Sequence, residues 1–244
     1  MPKASYRTWL RPGRLYPIAG LAALSLAGCA LTVVSPWFLL FLVPLAAFGY
    51  IAAILLLSAY RLGPGGGQRR IHELIAARSG GGPRVLDIGC GSGSLAVRIA
   101  QAWPAATVTG VDSWGPGWHY SQRMCEANAR AEGVADRVVF RDQSGTALDF
   151  PDGTFDIVVS CMTFHEIKDE GAVREALRVL RPGGRFVFVD PFADPAYYPS
   201  QAAIPGKLTP LGDLVDLPFP LRHPKVLGCA MLAEGTASPS LSKH

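Results

Sequence analysis

Between Ile18 and Tyr60 the chain has no Asp, Glu, Lys, Arg or His. A stretch of that length without charge is not an ordinary water-facing segment, whereas the rest of the sequence has the charge mixture of a soluble domain. This asymmetry accounts for a hydrophobic content of 49% and a mean hydropathy of +0.23. Paired cysteines are also missing. Cys29, Cys90, Cys125, Cys161 and Cys229 form no CxxC or other metal-ligand spacing, so no metal site is expected, and an odd number argues against a closed disulfide framework. A reducing compartment is the simpler reading. No internal repeat is visible, which excludes a solenoid. A basic stripe is absent too, despite the net charge of +4. Lys3, Arg7, Arg11 and Arg14 precede the apolar run and Arg61, Arg69 and Arg70 follow it. Without these flanking residues the remainder is slightly acidic, which leaves no surface suited to nucleic acid.

A single helix through the uncharged run would be about 64 Å long at ~1.5 Å per residue. A bilayer core is only ~30 Å thick, so the run must fold back. Ser35-Pro36 is the break, because the residue before proline avoids the helical region. Two spans result, Ile18–Val34 and Trp37–Tyr60, with Pro44 a possible kink in the second. Tyr16, Trp37 and Tyr60 stand near the ends, where interfacial aromatics gather. Basic residues flank both outer ends and none lies in the turn, so the positive-inside rule puts both ends in the cytoplasm. One span plus a buried core helix is the competing arrangement. Leu26-Ala27-Gly28-Cys29 has the look of a lipoprotein cleavage site, but an apolar segment follows where a polar tether belongs.

Residues 61–83 read as a linker. Gly63-Pro64-Gly65-Gly66-Gly67 breaks any helix, Ile71, Leu74 and Ile75 recur at helical spacing, and Gly80-Gly81-Gly82-Pro83 ends that short helix. The division predicts that residues 1–60 are dispensable for ligand binding by the domain that follows. That domain opens with Val85, Leu86 and Ile88, a short apolar run suited to a buried parallel strand. Gly89, Gly91 and Gly93 follow, then Leu95–Ala100 with helical potential. A dinucleotide fingerprint is GxGxxG; here the spacing is GxGxG, preceded by Asp87. An acid there would repel a phosphate and suits the positive end of an amino-acid ligand. Ala106–Val111 is a second β-rich run, ending in Asp112, 19 residues beyond Gly93. An acid at the end of the second strand is where a ribose is held; a helix cap or solvated turn is the alternative.

Asp87-Ile-Gly-Cys-Gly-Ser-Gly93 and Gly110-Val-Asp112 resemble the class I S-adenosylmethionine-dependent methyltransferases. The resemblance extends from Arg84 to about Gly235. It includes Phe150–Asp156 leading into a fourth strand through Ser160, and Leu177–Gly184 leading into a fifth strand, Arg185–Val189. Arg181-Pro-Gly-Gly also fits a type II turn, with Gly183 at its third position. The resemblance implies an α/β fold: a Rossmann-like seven-stranded sheet with helices on both faces, here preceded by two transmembrane helices. It implies S-adenosyl-L-methionine as cofactor. Gly89, Cys90, Gly91 and Gly93 would approach its methionine part, and Asp87 would serve its amino group. Asp112 would hold the ribose, Ser113 and Trp114 would border the adenine, and Ser160 would line the site from the fourth strand. The family often carries an acid after its third strand; the corresponding position here is Ser144, with Asp142 two residues away.

Methyl transfer is a displacement at an activated carbon, so alignment of donor and acceptor is the main requirement. An oxygen or carbon nucleophile can also need a base. His165 and Glu166 follow the fourth strand, where this family presents groups to the substrate, and a histidine titrates near neutrality. His165 and Glu166 are the catalytic candidates, with His119 a weaker one. Packing or capping is the alternative role for His165. The kinked Trp114–Tyr120 segment either lines the pocket or packs a helix entry. After Asp190 the chain is rich in proline and aromatics, as a substrate lid would be, with an apolar piece at Leu211–Leu217. Val226–Ala233 reads as the closing antiparallel edge strand, and the tail after Gly235 as loose. The partners implied are a small-molecule or lipid acceptor and the bilayer. The alternative function is a membrane protein that binds S-adenosylmethionine without catalysis.

Overall fold

A computed structural model describes residues 3–9, 12–63, 66–115, 118–167, 169, 171–199, 204–217, 221–222 and 227–237. The uncharged run folds as a hairpin of two helices, α1 (Pro12–Ala30) and α2 (Leu42–Leu62), joined by two 3-10 turns. Ser35 is extended (φ −158°, ψ 136°), and the break falls at Ser35-Pro36 as its sequence requires. The second 3-10 turn packs back on α1 closely enough that a Cβ on Gly28 would meet the ring of Phe41 at 2.5 Å. Their outward faces are apolar and open, with Leu24, Val33, Trp37, Val43 and Tyr60 all exposed. Leu15–Val33 and Pro36–Leu62 are each long and apolar enough to cross a membrane, and neither is a buried core helix. Pro44 lies in the first turn of α2, where its missing N–H costs no bond.

The remainder is built on one seven-stranded sheet of order β3-β2-β1-β4-β5-β7-β6. Strands β1 (Arg84–Ile88), β2 (Thr107–Asp112), β3 (Val138–Asp142), β4 (Phe155–Cys161) and β5 (Leu180–Asp190) run parallel. Strands β6 (Lys207–Pro210) and β7 (Met231–Thr236) complete it antiparallel. Alternate strand residues feed two cores. Val85, Val108, Val159 and Val187 pack under α3 (Gly67–Ser79), α4 (Ser94–Ala102) and α5 (Gln122–Ala131). Leu86, Val158, Phe186 and Phe188 pack on the other face, with Phe164 of α6 (Phe164–Ile167) and Ala172 and Ala176 of α7 (Gly171–Arg178). Gly183 takes φ +72°, but the turn expected before β5 is absorbed into the strand, which already begins at Leu180: Gly183 N–H donates to Ala237 O at 3.0 Å, and the register against β4 shifts there.

The closing strand differs from the sequence reading. β7 starts at Met231, and Leu227–Cys229 form a turn, with Ala230 N–H bonded to Leu227 O at 3.0 Å. It lies between β5 and β6, so the edge belongs to Lys207–Pro210, a segment with no strand pattern in its sequence. The apolar run could not mark its own ends, because Glu234 belongs to the strand and is neutralised at its rim by Arg78 at 2.7 Å. Leu211–Leu214 forms a short helix, α8, after that edge strand. Val226 and residues 238–244 of the tail lie outside the described residues.

The helix assigned to the linker is part of the core. Ile71 and Ile75 of α3 are wholly buried, and the indole N–H of Trp103 donates to Ala76 O at 2.9 Å. Ile75→Ala should therefore lower unfolding free energy by about 2–5 kcal/mol, measured by denaturant titration of the full chain in detergent. A change below about 0.5 kcal/mol, the range of surface substitutions, would mean that α3 is a mere connector.

Candidate active site

Strand order reverses between β1 and β4, and a crevice opens at the carboxyl ends of the strands there. The loop after β1 fills its floor. Gly89, Gly91 and Gly93 have φ of +72°, +56° and +76°. The N–H groups of Gly89 and Cys90 both bond to Val111 O, tying the loop to β2. A Cβ on Gly89 would collide with the side chain of Thr163, which follows β4. Glycine is required there by torsion and by space alike.

Above this loop is a cavity of about 380 Å³. Of the residues singled out from the sequence, Asp87, Gly89, Cys90, Gly91, Asp112, Ser113, Ser144 and Glu166 line it. Asp87 is buried, and its Oδ2 has no hydrogen-bond partner. Burial pushes its carboxyl up to about 8, Asp112 adds to this, and the N–H of Ala96 opposes it. Asp112 accepts the N–H of Gly91 on Oδ2 and of Trp114 on Oδ1, each at 2.8 Å. It clamps the loop, and each oxygen retains capacity for a second bond. Burial raises its pKa, against the backbone donors. A buried carboxyl with one unpartnered oxygen beside a glycine cradle, and a second carboxylate at the end of β2, fit the ammonium and ribose of the implied cofactor.

Five of the sequence candidates do not line the cavity. The Gly93 backbone turns the chain into α4, packed on Phe140. The Trp114 indole N–H donates to Gly91 O at 2.9 Å, so it braces the loop from outside. Ser160 is buried and donates to Ile88 O at 3.0 Å, a tie between β4 and β1. His165 lies behind Glu166, with its Nε2 3.7 Å from Glu166 Oε1. The exposed His119 is also outside, whereas Trp118 and Tyr120 contribute to the wall. Burial pushes the Cys90 thiol up, which leaves it a packing group of the loop.

Asp190, at the end of β5, was not among the candidates and organises the loop after β4. Five donors converge on it: the N–H groups of Thr163, Phe164 and His165, His165 Nδ1 at 2.9 Å, and the Tyr198 hydroxyl at 2.8 Å. An acceptor at Nδ1 fixes the proton there and leaves Nε2 as the basic nitrogen. Burial and Asp190 push the Tyr198 phenol up, so it stays a donor. The only sequence signal was an acid at the carboxyl end of a parallel strand.

The other unforeseen wall comes from residues 3–9, ahead of α1. Asn128 exchanges two bonds with the backbone of Ser5, at 2.8 and 3.1 Å, and the Tyr120 hydroxyl donates to Thr8 O at 2.7 Å. Gln68 Nε2 donates to Arg7 O at 3.3 Å, and Trp9 lies against His72, 5.5 Å between ring centres. Arg7, Trp9, Gln68 and His72 all line the cavity. Residues 3–9 thus lie on the domain rather than apart from it, and removing residues 1–60 would take this wall away.

Residues 85–184 match the family described as methyltransferase domain. A 27-O-demethylrifamycin SV methyltransferase of Amycolatopsis mediterranei is 42% identical over 125 residues, covering 50% of this chain and 42% of that protein. A demethylmenaquinone methyltransferase of Thermus thermophilus is 37% identical over 108 residues, covering 44% and 46%. The match thus spans less than half the length of these relatives. The fold is shared with a geranyl diphosphate C-methyltransferase from Streptomyces coelicolor A3(2), at a TM-score of 0.55 and 16% identity over 75% of this chain and 82% of that one.

Asp87 gives the cavity a pH signature. Its folded-state pKa of about 8 keeps it protonated near neutrality. A ligand ammonium favours the carboxylate, so binding of S-adenosylhomocysteine at pH 7 should expel a proton. Affinity should rise by up to about tenfold per pH unit towards pH 8, level off once Asp87 is ionised in the free protein, and fall when the ligand's own amino group loses its charge. Calorimetry in buffers of different ionisation enthalpy reads the proton directly. Asp87→Asn should bind weakly and without proton release; release persisting in that variant would rule out Asp87 as its source.

Proposed function

Because the chain carries a class I S-adenosylmethionine-dependent methyltransferase domain, we propose that it is an active enzyme that methylates a small or lipophilic acceptor at the cytoplasmic face of a membrane. The observation that carries the activity is the glycine-floored cavity with the buried Asp87 at its base, whose Oδ2 has no hydrogen-bond partner. The membrane location rests on the two exposed apolar helices and on the basic residues at their outer ends. That hairpin returns the chain to the side it left, so strap and domain share one face. The two relatives are named for rifamycin and menaquinone acceptors, and an acceptor of that lipophilic kind suits a site held beside a bilayer.

When bound, the cofactor supplies a sulfonium methyl already activated for transfer. The protein's part is to hold and orient. Asp87 takes the amino group, the Gly89–Gly91 backbone allows close approach, and Asp112 accepts the ribose hydroxyls. Ser113 and Ser144 border the adenine. On the acceptor side, Glu166 is the carboxylate that faces the cavity, and His165 stands behind it in a tautomer fixed by Asp190. In this arrangement Glu166 takes the acceptor proton and His165 Nε2 is the positioning base that supports it.

Glu166→Gln should lower kcat by about 10²–10⁴-fold if the acceptor needs a base, with S-adenosylhomocysteine affinity unchanged. His165→Ala should lower kcat less and shift its pH profile, which a packing role would not do. Equal loss of cofactor affinity in both variants would remove them from the acceptor side. The acceptor itself is identified by incubating purified protein with radiolabelled S-adenosylmethionine and fractionated membranes. Label in a lipid-soluble fraction is the expected result. Turnover of water-soluble extract alone would overturn the lipophilic assignment, and no label in any fraction would overturn activity.

A further inference from the structure

The strap separates two cavities. Inside it is the one above the glycine-rich loop; outside it is a second, of about 340 Å³, which the reaction does not use. Arg7, Gln68, His72 and Ser94 line both, so what fills the outer cavity touches the wall of the inner one. The outer cavity is cationic. Lys3, Arg7, Arg69 and Arg98 line it, together with Glu132. Glu73 is shared by Arg69 at 2.7 Å and Arg98 at 3.9 Å, and Glu132 accepts from Gln101 at 2.9 Å. Among the described residues, Lys3 and Arg7 have no carboxylate within ion-pair distance. Four cations against two carboxylates leave an excess of positive charge in a concave site. His72 adds none, since burial and Arg98 hold its pKa down to about 3.

Leu62 and Gly63, the end of α2 and the residue after it, form another side of this cavity. A membrane helix therefore ends at the cavity, which is where headgroup phosphates are concentrated. Clustered Lys and Arg at such a level attract anionic lipid.

We propose that the outer cavity binds the phosphate of an anionic phospholipid headgroup, and that its occupancy clamps residues 3–9 over the cofactor cavity. This rests on the membrane reading given above. The ligand joins Lys3 and Arg7 of the strap to Arg69 and Arg98 of the domain, and so adds ion pairs to a segment otherwise held by the hydrogen bonds of Ser5, Arg7 and Thr8. A headgroup and the cofactor then favour the same strap position, and each raises the affinity of the other.

The test uses the full chain in nanodiscs of phosphatidylcholine with or without phosphatidylglycerol. S-adenosylhomocysteine affinity is read by calorimetry and the strap by hydrogen exchange. Phosphatidylglycerol should raise affinity by about fivefold or more and slow exchange in residues 3–9. The combined Lys3→Gln, Arg69→Gln, Arg98→Gln variant should keep the affinity seen in phosphatidylcholine and lose the gain. Lys3→Gln alone, on an exposed strap residue, should lose part of it without risk to folding. Equal affinity and exchange in both lipids would overturn the proposal, as would a gain that survives in the combined variant. Inorganic phosphate reproducing the gain in phosphatidylcholine would overturn the headgroup assignment in favour of a soluble ligand. A chain that does not enter nanodiscs at all would overturn the membrane reading itself.

Discussion

The close approach of Gly89 to Thr163 sets the geometry of the whole site. The loop after β1 and the loop after β4 meet there with no space for a Cβ. Thr163 is held by its N–H bond to Asp190, so a buried carboxylate at the end of β5 controls how near the two loops come. The same carboxylate orients His165, and through it the side of the cavity that Glu166 faces. Asp112 performs the matching service on the other flank, clamping Gly91 and Trp114. Two acids at the ends of β2 and β5 thus hold the loops around a third, Asp87, whose Oδ2 has no hydrogen-bond partner. Ionising a buried carboxyl in that state is unfavourable until a cation reaches it.

Much of this is readable from local chemistry. The glycine spacing, the acid before it and the acid ending β2 are all determined by short-range backbone requirements, and all of those residues but Gly93 line the cavity. The hairpin break is equally local, because proline acts on its immediate neighbour. What sequence reading missed is set by distance. Ser160 and Trp114 looked like ligand contacts by position, but one side chain turns into the β1–β4 seam and the other braces the loop from behind. Nothing in a linear pattern tells which way a side chain on a buried strand points once both faces are covered. Asp190 could not be ranked above other acids without knowing that three N–H groups and two side chains would converge on it. The edge strand at Lys207–Pro210 has no alternation to reveal it, since it is held by pairing with β7 alone.

The boundary between anchor and domain is the clearest case. Composition changes abruptly near residue 61, and a division there is the natural reading. Yet α3, just past it, supplies core residues, and residues 3–9, well before it, supply cavity wall. Hydropathy reports the solvent that a segment meets, and it carries no information on which other segment covers it.

The strap also imposes an order on assembly. Ser5 finds its partner 123 residues later, at Asn128, and Thr8 finds Tyr120 112 residues later. A chain made from its amino end presents residues 3–9 before the two apolar helices and long before α5. Through that interval the strap has nothing to bind, and the loop it must close spans the whole hairpin, the first strand and the second. Closing so long a loop is entropically costly and slow relative to local structure. The wall that comes first in the chain therefore has no partner until α5 has been made.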